Sequence, residues 1–148
     1  MVSTLVYRLL PAEGNNVDSP NLAVPDIDAR PVGVLIVDDQ PPFRDAARTV
    51  VSVLRGWHVV GEVGTGEDAV TTARAAVPGI VLMDINLPGM NGIEATRQIL
   101  AEQPSVRVVL LSTYAADDLP ADALACGAVA YVRKEDLSPR VLRQVCDA

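Results

Sequence analysis

From residue 32 onward, apolar runs and amphipathic stretches alternate without a break. Strand-like runs cover 33–37, 57–63, 79–83, 106–111 and 129–132. Helix-like stretches lie between and after them, at about 42–54, 67–77, 91–102, 117–126 and 137–147. The first helix shows its period plainly. Phe43, Ala46, Ala47, Val50, Val51 and Leu54 recur at the spacing of one buried face. Pro41 and Pro42 suit its first turn, and Gly56 suits its exit. The third helix sets Ile93, Thr96, Ile99 and Leu100 on one side, with Pro104 just beyond its end. The first, third and fourth strands are near-continuous apolar runs, as expected where helices cover both sheet faces. Five βα units in succession predict an α/β fold with an open, doubly wound parallel sheet.

Residues 11–31 break this pattern. Pro11, Pro20, Pro25 and Pro31 are separated by Gly, Asn, Asp and Ser, the composition of a linker. The expected organisation is therefore a tail over 1–31 and one domain over 32–148. Met1–Leu10 is expected to fray; a short docked strand or helix is the alternative.

Hydrophobic residues make up 49% of the 148-residue chain but aromatics only 3%, so the core must be Val, Leu, Ile and Ala. A net charge of −7 argues against direct nucleic-acid binding, which needs a basic face. No apolar stretch is long enough to span a bilayer, and the start lacks the parts of a signal peptide. These features point to the cytoplasm. Cys126 and Cys146 lack metal-ligand spacing and are expected reduced. Cys126 reads as a packing residue and Cys146 as an exposed one.

Chemistry concentrates at the strand exits. Asp38-Asp39 ends the first apolar run, Asp84 ends the third, and Lys134 follows the fifth by two positions. Strand carboxyl ends are where open α/β sheets bind ligands. Clustered carboxylates repel unless a cation neutralises them, and Mg²⁺ does so with few protein ligands. An adjacent lysine balances an incoming phosphate. Alone, Asp38 and Asp39 read as turn or capping carboxylates. In register with Asp84 and Lys134 they suggest phosphoryl chemistry on a carboxylate.

Four segments carry a family resemblance: Val34-Leu35-Ile36-Val37-Asp38-Asp39, Met83 through Gly92, Val109-Leu110-Leu111-Ser112, and Gly127 through Lys134. In order and spacing, residues 32–148 resemble the receiver domain of bacterial two-component response regulators. The resemblance implies a flavodoxin-like (βα)5 fold with strand order 2-1-3-4-5. It implies that Asp84 is the phosphoacceptor, and that Asp38, Asp39, Asp84 and the backbone carbonyl of Asn86 hold Mg²⁺. Lys134 pairs with a phosphoryl oxygen, Ser112 is the hydroxyl switch, and Tyr131 is the aromatic switch that turns inward. The implied partners are a sensor histidine kinase and a downstream protein that reads the helix 4–strand 5–helix 5 face. A homodimer through that face is a further option; no nucleic acid and no membrane is expected for this chain. The domain loads and slowly unloads itself, so it is not a substrate-turnover enzyme.

Departures from the family pattern matter. Thr113 stands where a smaller residue is usual, and Glu135 where proline is common. Lys134-Glu135 looks more like receivers that carry a helix-turn-helix. A stand-alone receiver is favoured over the receiver fragment of a DNA-binding regulator, and a phosphorelay shuttle or pseudo-receiver are further alternatives. A haloacid-type phosphatase fails because the first strand ends in Asp38-Asp39-Gln40 rather than Asp-x-Asp. Tyr114 and the Asn86 side chain are candidates for governing water access to the phosphate. His58, with no ligand partner nearby in sequence, reads as structural or exposed. Gly64-Thr65-Gly66 lacks the rest of a phosphate loop and reads as a turn into helix 2. Asp117, Asp118 and Asp122 read as favourable charges at a helix start.

Overall fold

Successive side chains of a strand point to opposite faces, and the apolar runs use both. In the computed structural model, which describes residues 6–8, 31–113 and 119–146, strands and helices alternate from the second strand onward. They are β1 (Val6–Arg8), β2 (Val32–Val37), α1 (Pro41–Ser52), β3 (Trp57–Val63), α2 (Gly66–Ala76), β4 (Ile80–Asp84), α3 (Gly92–Glu102), β5 (Arg107–Ser112), α4 (Ala121–Leu124), β6 (Ala130–Arg133) and α5 (Pro139–Cys146). A 3₁₀ turn, Lys134–Asp136, joins β6 to α5.

The sheet order is β1-β6-β5-β4-β2-β3. Strands β2 to β6 are all parallel and stand in the order 2-1-3-4-5 when counted from β2, so the fold is the flavodoxin-like (βα)5 sheet. Leu35, Val81, Met83 and Leu110 face one core, covered by α2 and α3. Their chain neighbours Ile36, Leu82, Val109 and Leu111 face the other, covered by α1 and α5. Two helical layers explain why these runs show no polar alternation.

Local sequence sets the helix starts. Pro41 and Pro42 occupy the first turn of α1. The Thr65 hydroxyl caps α2 by accepting from the Asp68 amide at 3.0 Å, so this segment is a helix cap and not a phosphate loop. Asn91 Oδ1 caps α3, accepting from Ile93 and Glu94 at 2.8 and 3.0 Å. Some boundaries differ from expectation. Helix α1 stops at Ser52, and Gly56, at φ 84°, serves the turn from Leu54 to Trp57 instead of the helix end. Helix α5 begins only at Pro139, because the 3₁₀ turn intervenes and Ser138 Oγ then accepts from the Val141 amide. Within the described part of the expected fourth helix, only Ala121–Leu124 is helical; Gly127, at φ 102°, follows it. Tyr114, Asp117 and Asp118 lie outside the described residues.

Val6–Arg8 departs from the expected frayed end. It pairs antiparallel with the outer edge of β6, Tyr7 opposite Tyr131. Neither Cys126 nor Cys146 forms a disulfide among the described residues, and Cys146, expected exposed, is buried. His58 is exposed. Among the described residues no helix is long and apolar enough to cross a membrane.

Candidate functional site

Strands β2 and β4 are neighbours, and the chain crosses to opposite sides of the sheet after each, which opens a crevice at their carboxyl ends. Asp38 and Asp39 follow β2, Asp84 is the last residue of β4, Ser112 the last of β5, and Lys134 comes just after β6. One carboxylate oxygen from each of Asp38, Asp39 and Asp84 lies within 4.8 Å of the others. The Lys134 ammonium is 2.6 Å from Asp38 Oδ2 and 3.5 Å from Asp84 Oδ2. It also stands 4.7 Å from the centre of the Phe43 ring. Asp38 and Asp84 are buried, whereas Asp39 is exposed at the mouth.

Asp38 has two roles on two oxygens. Its Oδ1 accepts from the Gln40 amide at 2.8 Å, the turn role that any strand-end Asp can fill. Its Oδ2 is buried and accepts no well-formed hydrogen bond among the described residues; only the Lys134 ammonium approaches it. Asp84 Oδ1 accepts from the Asn86 amide at 3.1 Å, which anchors the residue expected to offer a backbone carbonyl. Burial, then the charge of Asp38, pushes the Asp84 carboxyl up to about 6, while Lys134 pulls the other way.

Three carboxylates face one ammonium, so charge in the pocket is unbalanced. The under-coordinated Asp38 oxygen expresses that imbalance, and the Asp38 charge adds to the burial that raises the Asp84 carboxyl. The donors are all hard oxygens, and one side is open through Asp39. This set fits a small divalent cation that keeps several waters.

Ser112 is fully buried beside Asp84's strand, and Thr113 is exposed at the rim. Tyr131 is not in the pocket. Its side chain is wholly buried in the core that also holds residues of α2, α3 and α4. Asp122, in the first turn of α4, lies 3.8 Å from Arg97.

Three contributors escaped sequence reasoning. Arg44 donates from Nη1 to the Asp38 carbonyl at 2.7 Å and reaches toward Glu62 at 3.8 Å, tying down the turn that presents the acidic pair. Glu67 Oε2 accepts from the Met90 amide at 3.2 Å and so braces the loop after Asp84 from α2. Gly92 is required because a Cβ there would run into the Asp84 carbonyl. The one usable signal was Arg44 and Arg48 spaced four apart on α1, which meets Glu62 on β3.

This geometry coincides with that of a known family. Residues 34–146 match the model of the response regulator receiver domain. The chain belongs to that family. It is 39% identical over 103 residues to response regulator UvrY of Escherichia coli O6:H1, covering 70% of this chain and 47% of UvrY. The chain thus spans about half the length of that curated relative. The signal receiver domain of the response regulator NarL from Mycobacterium tuberculosis superposes with a TM-score of 0.71 at 30% identity, over 80% of this chain and 95% of that one. A chain of the CheX–CheY–BeF₃–Mg²⁺ complex from Borrelia burgdorferi superposes with a TM-score of 0.71 at 26% identity, over 82% and 91%. The protein is a receiver with an acidic cluster positioned for Mg²⁺-dependent phosphoryl transfer. Receivers of this kind catalyse their own phosphorylation and dephosphorylation without turning over a substrate.

Proposed function

We propose that this protein works in the cytoplasm, where Asp84 accepts a phosphoryl group from a sensor histidine kinase, with Mg²⁺ held by Asp38, Asp39, Asp84 and the Asn86 carbonyl. The observation that carries this is the meeting of three carboxylates within 4.8 Å beside the Lys134 ammonium. An ionised Asp84 oxygen attacks phosphorus in line. The new O–P bond forms as the P–N bond to the kinase histidine breaks, and that electron pair stays on the imidazole nitrogen. Bound Mg²⁺ supplies charge neutralisation between the carboxylates and the phosphoryl oxygens. Lys134 shifts toward a phosphoryl oxygen, and Ser112 donates its hydroxyl to another. Phosphorylation adds roughly −1.5 to −2 charge. The response is a two-state equilibrium of the α4–β6–α5 face, with Ser112 and Tyr131 as the moving parts. Driving it from 1:99 to 99:1 needs roughly 5.5 kcal/mol of differential stabilisation.

The test is intact mass after exposure to acetyl phosphate. One added phosphoryl group is expected with Mg²⁺, and none with chelator or in Asp84→Asn. Uptake that persists in Asp84→Asn would remove the assignment. A second reading makes this domain the regulatory half of a longer DNA-binding regulator, favoured by its 47% coverage of UvrY. A reading frame that continues into a helix-turn-helix would establish it; a stop codon after Ala148 would exclude it.

A further inference from the structure

Five parallel strands make the receiver sheet, and the strand Val6–Arg8 is additional to them. It lies on the outer edge of β6, with Val6 opposite Val132, Tyr7 opposite Tyr131 and Arg8 opposite Ala130. The other edge of β6 is taken by β5. The chain's own strand therefore occupies the main-chain pairing that β6 offers over Ala130–Val132. An open strand edge is a template for any extended segment, recognised through its amides and carbonyls.

We propose that the outer edge of β6 is a strand-accepting surface, and that Val6–Arg8 of the same chain is its resident occupant and closes the α4–β6–α5 face to a partner. The inference rests on the receiver reading only for the role of that face. Residues 9–31 join the strand to the domain within one chain. Covalent joining gives the strand a high effective concentration at that edge. At micromolar protein the chain's own segment outcompetes that of a second copy. A strand of three residues is nonetheless short and opens readily. A partner that needs this edge binds with its affinity reduced by the fraction of chains that are open.

The test uses the full chain carrying Val6→Pro and Tyr7→Pro together. Successive amides point to opposite sides of a strand, so one of the two lies on the ladder, and proline removes it. Ser3→Pro, outside the strand, is the control. Unchanged amide exchange in β4 shows that the domain is folded. Amides of Ala130–Val132 that point away from β5 should exchange about ten-fold faster in the double variant and at the wild-type rate in the control. A synthetic peptide of residues 1–10 should bind the double variant at least about ten-fold more tightly than the wild type. Equal exchange rates, or equal peptide affinity, overturn the proposal. So does a micromolar wild-type dimer that the double variant abolishes, since the occupant would then be a second copy. Phosphoryl uptake on Asp84 is measured separately on the same samples. Its loss with strand protection intact fails the receiver reading alone, and the reverse outcome fails only the strand.

Discussion

The Lys134 ammonium is closer to Asp38, at 2.6 Å, than to Asp84, at 3.5 Å. The lysine expected to meet phosphate is thus held first by a carboxylate assigned to the cation. On the function proposed above, a cation at Asp38 would free Lys134 to move toward Asp84, and cation binding would be coupled to phosphoryl capture through this one ion pair.

Removing the lysine should expose that coupling. In Lys134→Met, the fully buried Asp38 carboxylate loses the ammonium that stands 2.6 Å from its Oδ2. Without divalent cation the variant should be less stable by about 3 kcal/mol. Millimolar Mg²⁺ should restore more stability to the variant than it adds to the wild type. Urea titrations with and without Mg²⁺ measure both. Equal stability of the two metal-free proteins would contradict the account.

Stability should also depend on pH through Asp84. Its folded carboxyl titrates near 6, against about 3.9 in an unfolded chain. Between those values the folded state holds the extra proton. Stability of the metal-free protein therefore falls as pH rises from about 4 to about 6, by up to about 3 kcal/mol from this group. Asp84→Asn should lose that part of the slope. Denaturation at pH 4.5 and pH 7 compares the two proteins, and parallel behaviour would refute the assignment. Mg²⁺ favours the ionised form, so its affinity should weaken below about pH 6.

Two glycines make a matched pair. A Cβ at Gly92 would meet the Asp84 carbonyl, whereas one at Gly79 meets nothing closer than Val32 Cγ1 at 3.7 Å. Gly92→Ala should cost about 3 kcal/mol and slow phosphoryl uptake in whatever fraction folds. Gly79→Ala should stay within about 0.5 kcal/mol of the wild type. Thermal unfolding and uptake rates separate the two.

Val77 carries avoidable strain. It ends α2 at φ 46° and ψ 64°, a left-handed conformation that a β-branched residue rarely adopts. Pro78 follows, and the residue before proline prefers extended backbone. The side chain is 66% exposed, so little packing is lost on replacing it. Val77→Gly should stabilise the protein by about 1 kcal/mol, raising Tm by about 2–4 °C. A lower Tm would mean that Val77 contributes packing the backbone argument ignores.

The sheet and the acidic pocket were legible because each rests on a local signal. Val34 to Val37 and Ile80 to Met83 read as doubly covered strands, and Asp38 and Asp84 mark where those strands exit. Other features depend on partners distant in sequence. Val6–Arg8 is too short to show a period, and the edge it joins lies at Ala130–Val132. Arg44 was not singled out, since its hydrogen bond to the Asp38 carbonyl exists only once the chain has folded. The early stop of α1 follows from a turn at Gly56 that serves the next strand. The late start of α5 follows from the 3₁₀ turn that carries Lys134.

The division of Leu35 from Ile36, and of Val81 from Leu82, between opposite cores has an evolutionary consequence. Losing or gaining one codon inside β2 or β4 would exchange the two cores' side chains along the rest of that strand. The same slip would rotate Asp38 or Asp84 out of the crevice. Changes of length should therefore be tolerated in connections such as residues 53–56 and not within these strands. The frame that keeps the interior packed is also the frame that keeps the carboxylates aimed at one another.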